Sequence, residues 1–354
     1  MTKAELDNRK ILPLEDSWYR RVKEKLDGIA KPLDGLGKFE HLIAQIGAIE
    51  KTTKISIQKK AVLVMCADNG VVEEQVSQSG KEVTLAVAKA MGVNNSSVGK
   101  MAAVAGVDVI PVDIGIDTDE VIPGVLSRKV AKGTKNFAKE PAMTEEEVLK
   151  AIETGIQLVQ QCHREGYEIL ATGEMGIGNT TTSTAVAAAL LDLEVEQVTG
   201  KGAGLTDEAL KRKCRVIEEA IEKYFLRDAD AFTILKTVGG LDIAGLTGVF
   251  IGAAIEQIPV VIDGVISAVA ALLAETLCKG AVNYMIPSHK SRELAETAIM
   301  KKLHLDPVLD ADMALGEGTG AVMMMSLLDV ALGVYLQGAS FANFEIEQYK
   351  RYEE

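Results

Sequence analysis

The sequence predicts an α/β fold, a mostly parallel sheet with helices on both faces, and three observations lead to it. Five apolar runs of strand length, each bounded by Gly or Asp, punctuate the chain. Helical patterning fills most of the intervals between them. The runs are continuously apolar, which marks strands covered on both faces. At 354 residues the chain can bury a sizeable core, as one large or two ordinary domains.

Taken in order, the segment to about Thr53 reads as helical. Leu26, Ile29 and Leu33 lead into the turn-rich break Pro32-Leu33-Asp34-Gly35-Leu36-Gly37. Phe39, Leu42, Ile43, Ile46 and Ile49 then mark an apolar helix face. Strands are expected over 61–66, 107–112, 168–171, 260–262 and 282–286. In such sheets ligands bind beyond the carboxyl ends of strands. Those ends carry Asp68-Asn69-Gly70, Asp113, Gly173-Glu174-Met175-Gly176, Asp263-Gly264 and Ser288-His289. The stretch from Gly115 to Met143 reads as a loop with strand fragments, and the charged tail after Asn343 as frayed or helical. Two long apolar stretches are broken, one by Asp263 and Glu275 and the other by Asp329, so both read as core elements and not membrane spans.

The formal charge of −13 argues against nucleic acid or an anionic membrane as partner. An anionic substrate must then be held by local donors. Cys66, Cys162, Cys214 and Cys278 form neither a CxxC nor a zinc pattern and are expected as free, mostly buried thiols. That usage, with no apolar leader after Met1, points to a reducing, cytoplasmic setting. The histidines His41, His163, His289 and His304 are scattered. Only His289, at a strand end, is a site candidate, and no metal or cofactor is expected.

Four glycine-rich segments stand out, three of them with candidate chemistry. In Leu315-Gly316-Glu317-Gly318-Thr319-Gly320 a carboxylate lies between glycines just before an apolar helix. With no cation beside it in sequence, it is suited to act as a base near neutrality. Gly173 to Thr182 follows a strand and opens an alanine-rich helix, a backbone nest suited to a phosphate. Gly200 to Gly204 precedes a helix capped by Thr206. Lys213, two turns on, reads from pattern alone as a solvated helix lysine. The glycines of Val238 to Gly248 read mainly as helix–sheet packing.

In this order, these segments resemble the nicotinate-nucleotide–dimethylbenzimidazole phosphoribosyltransferase family. The similarity runs from Lys31-Pro32 to about Gly338. It is most specific at Ala61 to Gly70, Gly173 to Thr181, Gly239 to Gly248, Pro259 to Ala268, Ile286 to His289 and Leu315 to Ala321. The resemblance implies a Rossmann-like sheet plus a smaller helical domain built from N- and C-terminal segments. Residues 1–55 would form that small domain with part of the C-terminus, 56–338 the catalytic α/β domain, and 339–354 a tail.

The resemblance also implies transfer of phosphoribose from nicotinate mononucleotide to an aromatic acceptor without a cofactor. Glu317 matches the family's catalytic base. Gly176, Gly202 and Lys213 match positions around the phosphate, with Ser291 as a further candidate. Glu174 and Asp263 match positions near the nucleotide. The acceptor side would draw on Asn69, Ser79, Leu315 and Gly316. The departures lie on that side: Asn69 stands where His is common, Gly80 where Pro is, and Leu33-Asp34-Gly35 where Pro-Gly-Ser is. They imply an acceptor range that includes benzimidazole or phenols such as p-cresol. The expected assembly is a homodimer, or a heterodimer with a homologous subunit. The alternative is a non-catalytic or partner-dependent subunit that binds the nucleotide, against which Glu317 speaks. A nicotinamide-dependent oxidoreductase would need a GxGxxG after the first strand, which the chain lacks.

Overall fold

The computed structural model describes residues 1–202 and 204–351. Among these, six strands form one sheet: β1 (Lys60–Ala67), β2 (Val107–Gly115), β3 (Leu126–Ser127), β4 (Ile169–Met175), β5 (Val260–Ile262) and β6 (Met285–Pro287). Their order is β3-β2-β1-β4-β5-β6, and every pairing is parallel. The chain runs outward from β1 to β3, returns beside β1 as β4, and runs outward again. Strand order therefore reverses between β1 and β4, where the carboxyl ends open a crevice.

All of β1 is buried, and its side chains alternate between two cores. Ala61, Leu63 and Met65 join the core under the helices Glu145–Arg164, Asn179–Leu191, Leu241–Glu256 and Val265–Leu277. Val62, Val64 and Cys66 join the opposite core, under Lys38–Ile49, Ser97–Ala105 and Thr319–Gln337. This two-sided burial is why the strands read as unbroken apolar runs. The glycines of Leu241–Glu256 serve both neighbours. A Cβ on Gly245 would lie 3.2 Å from Met65 Sδ of the sheet, and one on Gly248 would clash with the Ile152 carbonyl of the adjacent helix.

The N- and C-terminal helical segments are joined to each other. Ile29 bridges to Ser340. Tyr335 Oη donates to the Thr53 carbonyl at 2.9 Å. Glu40, fully buried, pairs with Lys23 at 3.0 Å and Lys31 at 2.5 Å. Burial alone would raise this carboxyl, but the two ammonium groups outweigh it and hold it below its ordinary range. The tail after Asn343 is exposed and carries no regular structure beyond Phe344 among the described residues. A short 3₁₀ turn, Phe341–Phe344, leads to Arg351, whose guanidinium pairs with Asp27 and Asp34, both at 2.7 Å.

The last strand is also a correction. In place of a strand over 282–286, Ala281–Tyr284 forms a 3₁₀ turn and β6 begins at Met285. The Glu275 carboxylate accepts the N–H groups of Gly280 (3.0 Å) and Val282 (2.9 Å), and Tyr284 Oη donates to Leu12 O at 2.9 Å. These local and long-range partners override the β propensity of Val282 and Tyr284.

Candidate active site

Beyond the carboxyl ends of β4, β5 and β6 lies a cavity of about 310 Å³. Its floor is the loop after β4, Gly176 to Thr180. Its walls include Val76, Met175, Asp263, His289, Leu315 and Glu317. Leu315 stands half-exposed at the mouth. His289 is buried, its Nδ1 3.0 Å from Ser288 Oγ, and burial lowers its pKa.

The Glu317 turn is built from three residues with positive φ: Gly316 (+80°), Glu317 (+60°) and Gly318 (+90°). Left-handed backbone is costly for a residue with a Cβ, so Glu317 must be held there by its surroundings. Asp263 does much of this. Its carboxylate accepts the N–H groups of Gly318 (3.1 Å), Gly320 (2.8 Å) and Ala321 (3.1 Å), which closes the start of the helix Thr319–Gln337. These N–H groups are therefore occupied and do not point at a ligand. Burial pushes Asp263 up to about 6, against the pull of those three donors. Glu317 itself is half-buried, and its Oε2 accepts the Val98 N–H at 3.0 Å. Glu174 and Asp263 are the two buried carboxyls of the cavity wall.

Glu174 leaves β4 toward the cavity. Asn179 Nδ2 donates to Glu174 Oε2 and also, at 3.0 Å, to Asp242 Oδ2. Burial, reinforced by the negative charges of Asp242, Asp263 and Glu317, pushes Glu174 up to about 8 despite the Asn179 hydrogen bond. Burial likewise pushes Asp242 up to about 6. A Cβ on Gly316 would lie 2.8 Å from Glu174 Oε1, so only glycine admits this carboxyl beside the Glu317 turn.

The other end of the cavity is suited to an anion. Lys213 is fully buried, not the solvated lysine that pattern suggested. Its Nζ donates to Thr180 Oγ1 at 3.0 Å and to the Gly200 carbonyl at 3.2 Å. Burial lowers it to about 8, with Glu293 opposing. Gly202 (φ +51°) adjoins it: a Cβ there would lie 3.8 Å from Lys213 Nζ and 3.0 Å from Thr180 Oγ1. Gly176, Thr180, Gly202, Ser291 and Glu293 line this end. The Ser291 N–H is held by the Glu296 carboxylate.

The structure thus brings Glu317, Glu174, Gly176, Gly202, Asp263, Ser291, Gly316 and Leu315 to one cavity, with Lys213 directly behind Thr180. Asn69 and Ser79 are not among its walls. Asn69 is buried behind the glycine loop, its Nδ2 3.4 Å from the Ile177 carbonyl, while Ser79 lies just past the wall residues Val76, Ser77 and Gln78. Sequence reasoning missed Asn179, Thr180 and Asp242 as individuals. The first two belong to the nest motif and were legible there. Asp242 sits among glycines that packing accounts for, so nothing in the pattern marked it.

Comparison with known proteins adds to this geometry. Residues 11–346 match a family model described as Phosphoribosyltransferase. A protein of Clostridium acetobutylicum named nicotinate-nucleotide–dimethylbenzimidazole phosphoribosyltransferase is 43% identical over 337 residues, 95% of this chain and 96% of its own length. One of the same name from Acetivibrio thermocellus is 45% identical over 329 residues, 93% of this chain and 94% of its own. Among solved structures, that of CobT from Thermus thermophilus is similar with a TM-score of 0.89 at 34% identity, covering 94% of this chain and 100% of that one.

Proposed function

From the premise that this chain belongs to the nicotinate-nucleotide–dimethylbenzimidazole phosphoribosyltransferase family, and is a phosphoribosyltransferase of that type, we propose that Glu317 is its general base. The acceptor in this reading is an uncharged aromatic base, either a benzimidazole or a phenol. The observation that carries the reading is the Glu317 turn, a carboxylate held at positive φ on the cavity wall.

The phosphate of nicotinate mononucleotide lies in this reading at the Gly176, Gly202 and Lys213 end. The acceptor lies against Val76, Met175 and Leu315, which offer apolar contact and no charge. The acceptor's lone pair forms a bond to the anomeric carbon as the bond from that carbon to the pyridinium nitrogen breaks. Nicotinate leaves neutral at nitrogen, so the leaving group needs no acid. The acceptor's N–H or O–H proton passes to Glu317. Attack from the face opposite the leaving group turns the β-riboside into the α-riboside.

Glu317→Gln keeps the shape and removes the base. It is expected to lower turnover about a hundredfold or more while retaining nicotinate mononucleotide binding in a calorimetric titration. Turnover comparable to wild type would place the base elsewhere.

The exposed apolar residues Met323 and Val330 on the helix Thr319–Gln337, with Val104 on the adjoining helix Ser97–Ala105, support association with a second copy or a homologous subunit.

A further inference from the structure

Asp242 is fully buried, is not among the cavity walls, and has no direct part in the chemistry above. A buried carboxylate is costly, and a neutral polar side chain would serve the start of the helix Leu241–Glu256 as well. Its contacts suggest what it does. Oδ1 accepts the Ile243 N–H at 3.0 Å, and Oδ2 accepts from Asn179 Nδ2 at 3.0 Å. An ionised carboxylate only accepts, so Asp242 fixes which end of the Asn179 amide faces inward. The same NH₂ group then reaches Glu174 Oε2. With Oε2 engaged as an acceptor, a proton on Glu174 must sit on Oε1, the oxygen nearest Gly316 and the Glu317 turn.

We propose that Asp242 and Asn179 are positioning residues that orient Glu174 as a neutral acid, so that Oε1–H donates a hydrogen bond to an oxygen of the nucleotide in the cavity. The inference rests on the reading of this cavity as the nucleotide site. It divides the labour between two carboxyls: Glu317 takes a proton and Glu174 presents one. A neutral Glu174 also spares an anionic substrate one repulsive charge. The groups facing Glu174 agree with this. Asp242 of its helix, Asp263 after β5 and Glu317 before Thr319–Gln337 are all acidic and favour the neutral form, while Asn179 favours the ionised one. Asp68, after β1, faces Asp242 in turn.

Two variants pull in opposite directions. Asp242→Asn keeps an acceptor oxygen and removes a like charge, so the Glu174 midpoint should fall by about one pH unit. Asn179→Ala removes the donor that favours the ionised form, so the midpoint should rise. The reading is taken from the alkaline limb of kcat at saturating nucleotide, where bound phosphate keeps Lys213 charged. In Glu174→Gln that limb should be absent. A second readout needs no turnover: the infrared carboxyl C=O band of the protein without substrate, as a difference against Glu174→Gln. The difference is needed because Glu50, pushed up to about 8 by burial, would titrate in the same range. Opposite shifts in both readouts are the expected result. Lower activity with an unmoved midpoint in either variant would make Asp242 merely structural and overturn the proposal. An inactive wild type whose infrared midpoints still shift as stated would leave the coupling of Glu174 to Asp242 and Asn179 standing and sink the nucleotide-site reading instead.

Discussion

In the proposed reading, an ammonium group at one end of the cavity makes nucleotide binding depend on pH. Lys213 is buried against Thr180 and the Gly200 carbonyl, and burial brings it down to about 8. Its cation is present below that pH and is lost as pH rises through it. A phosphate dianion beside it would restore the proton, so binding should take up protons near pH 8. The KM for nicotinate mononucleotide should therefore climb above about pH 8. Lys213→Ala is expected to raise KM at neutral pH by about tenfold or more, the worth of a charged hydrogen bond, with a smaller change in kcat and a shallower climb above pH 8, the part left being the ionisation of Glu174. An unchanged KM in the variant would remove Lys213 from the site.

Among the elements, the turn from Gly316 to Gly318 and the helix Thr319–Gln337 act as one unit with the end of β5. Asp263 ties them together through three backbone N–H groups. Asp263→Ala leaves those donors buried and unpaired. It should cost about 1–3 kcal/mol of stability, measured by denaturant unfolding. It should also lower kcat more than it raises KM, because the Glu317 turn loses its anchor. Full stability in the variant would mean that another group closes the helix. The strands were legible wherever an apolar run was bounded by turn residues, and β1 and β5 follow the expected positions closely. β2 and β4 run on to Gly115 and Met175, past the expected ends, because backbone pairing with β1 continues through polar residues. The 3₁₀ turn over Ala281–Tyr284 was not legible, since it depends on Glu275 reaching forward to cap the turn and on Leu12, which only the tertiary fold brings to Tyr284.

Over the whole molecule, the doubly wound order follows from strand and helix alternation, and it places the polar strand ends together. The sequence therefore placed Glu174, Asp263 and Glu317 at strand ends and a glycine turn that the fold gathers at one cavity. It could not show that Asp263 serves the backbone, that Glu174 is buried where Glu317 is only half-buried, or that Asn69 lies behind the loop it borders in sequence. Those distinctions depend on which way a side chain leaves its element, and a change of one hydrogen-bond partner reverses them. The net charge of −13 does not oppose an anionic substrate once the donors near it are local: Lys213 and the glycine backbone at one end, and carboxyls held partly neutral by burial at the other. In the proposed reading this chain transfers phosphoribose to an aromatic base. The most direct measurement is nicotinate release from nicotinate mononucleotide by the purified protein, with dimethylbenzimidazole, adenine, phenol and p-cresol as separate acceptors and each product identified by mass. Release with an α-riboside phosphate product from at least one acceptor is predicted. Nucleotide binding with no release from any of the four, even at saturating acceptor, would contradict it.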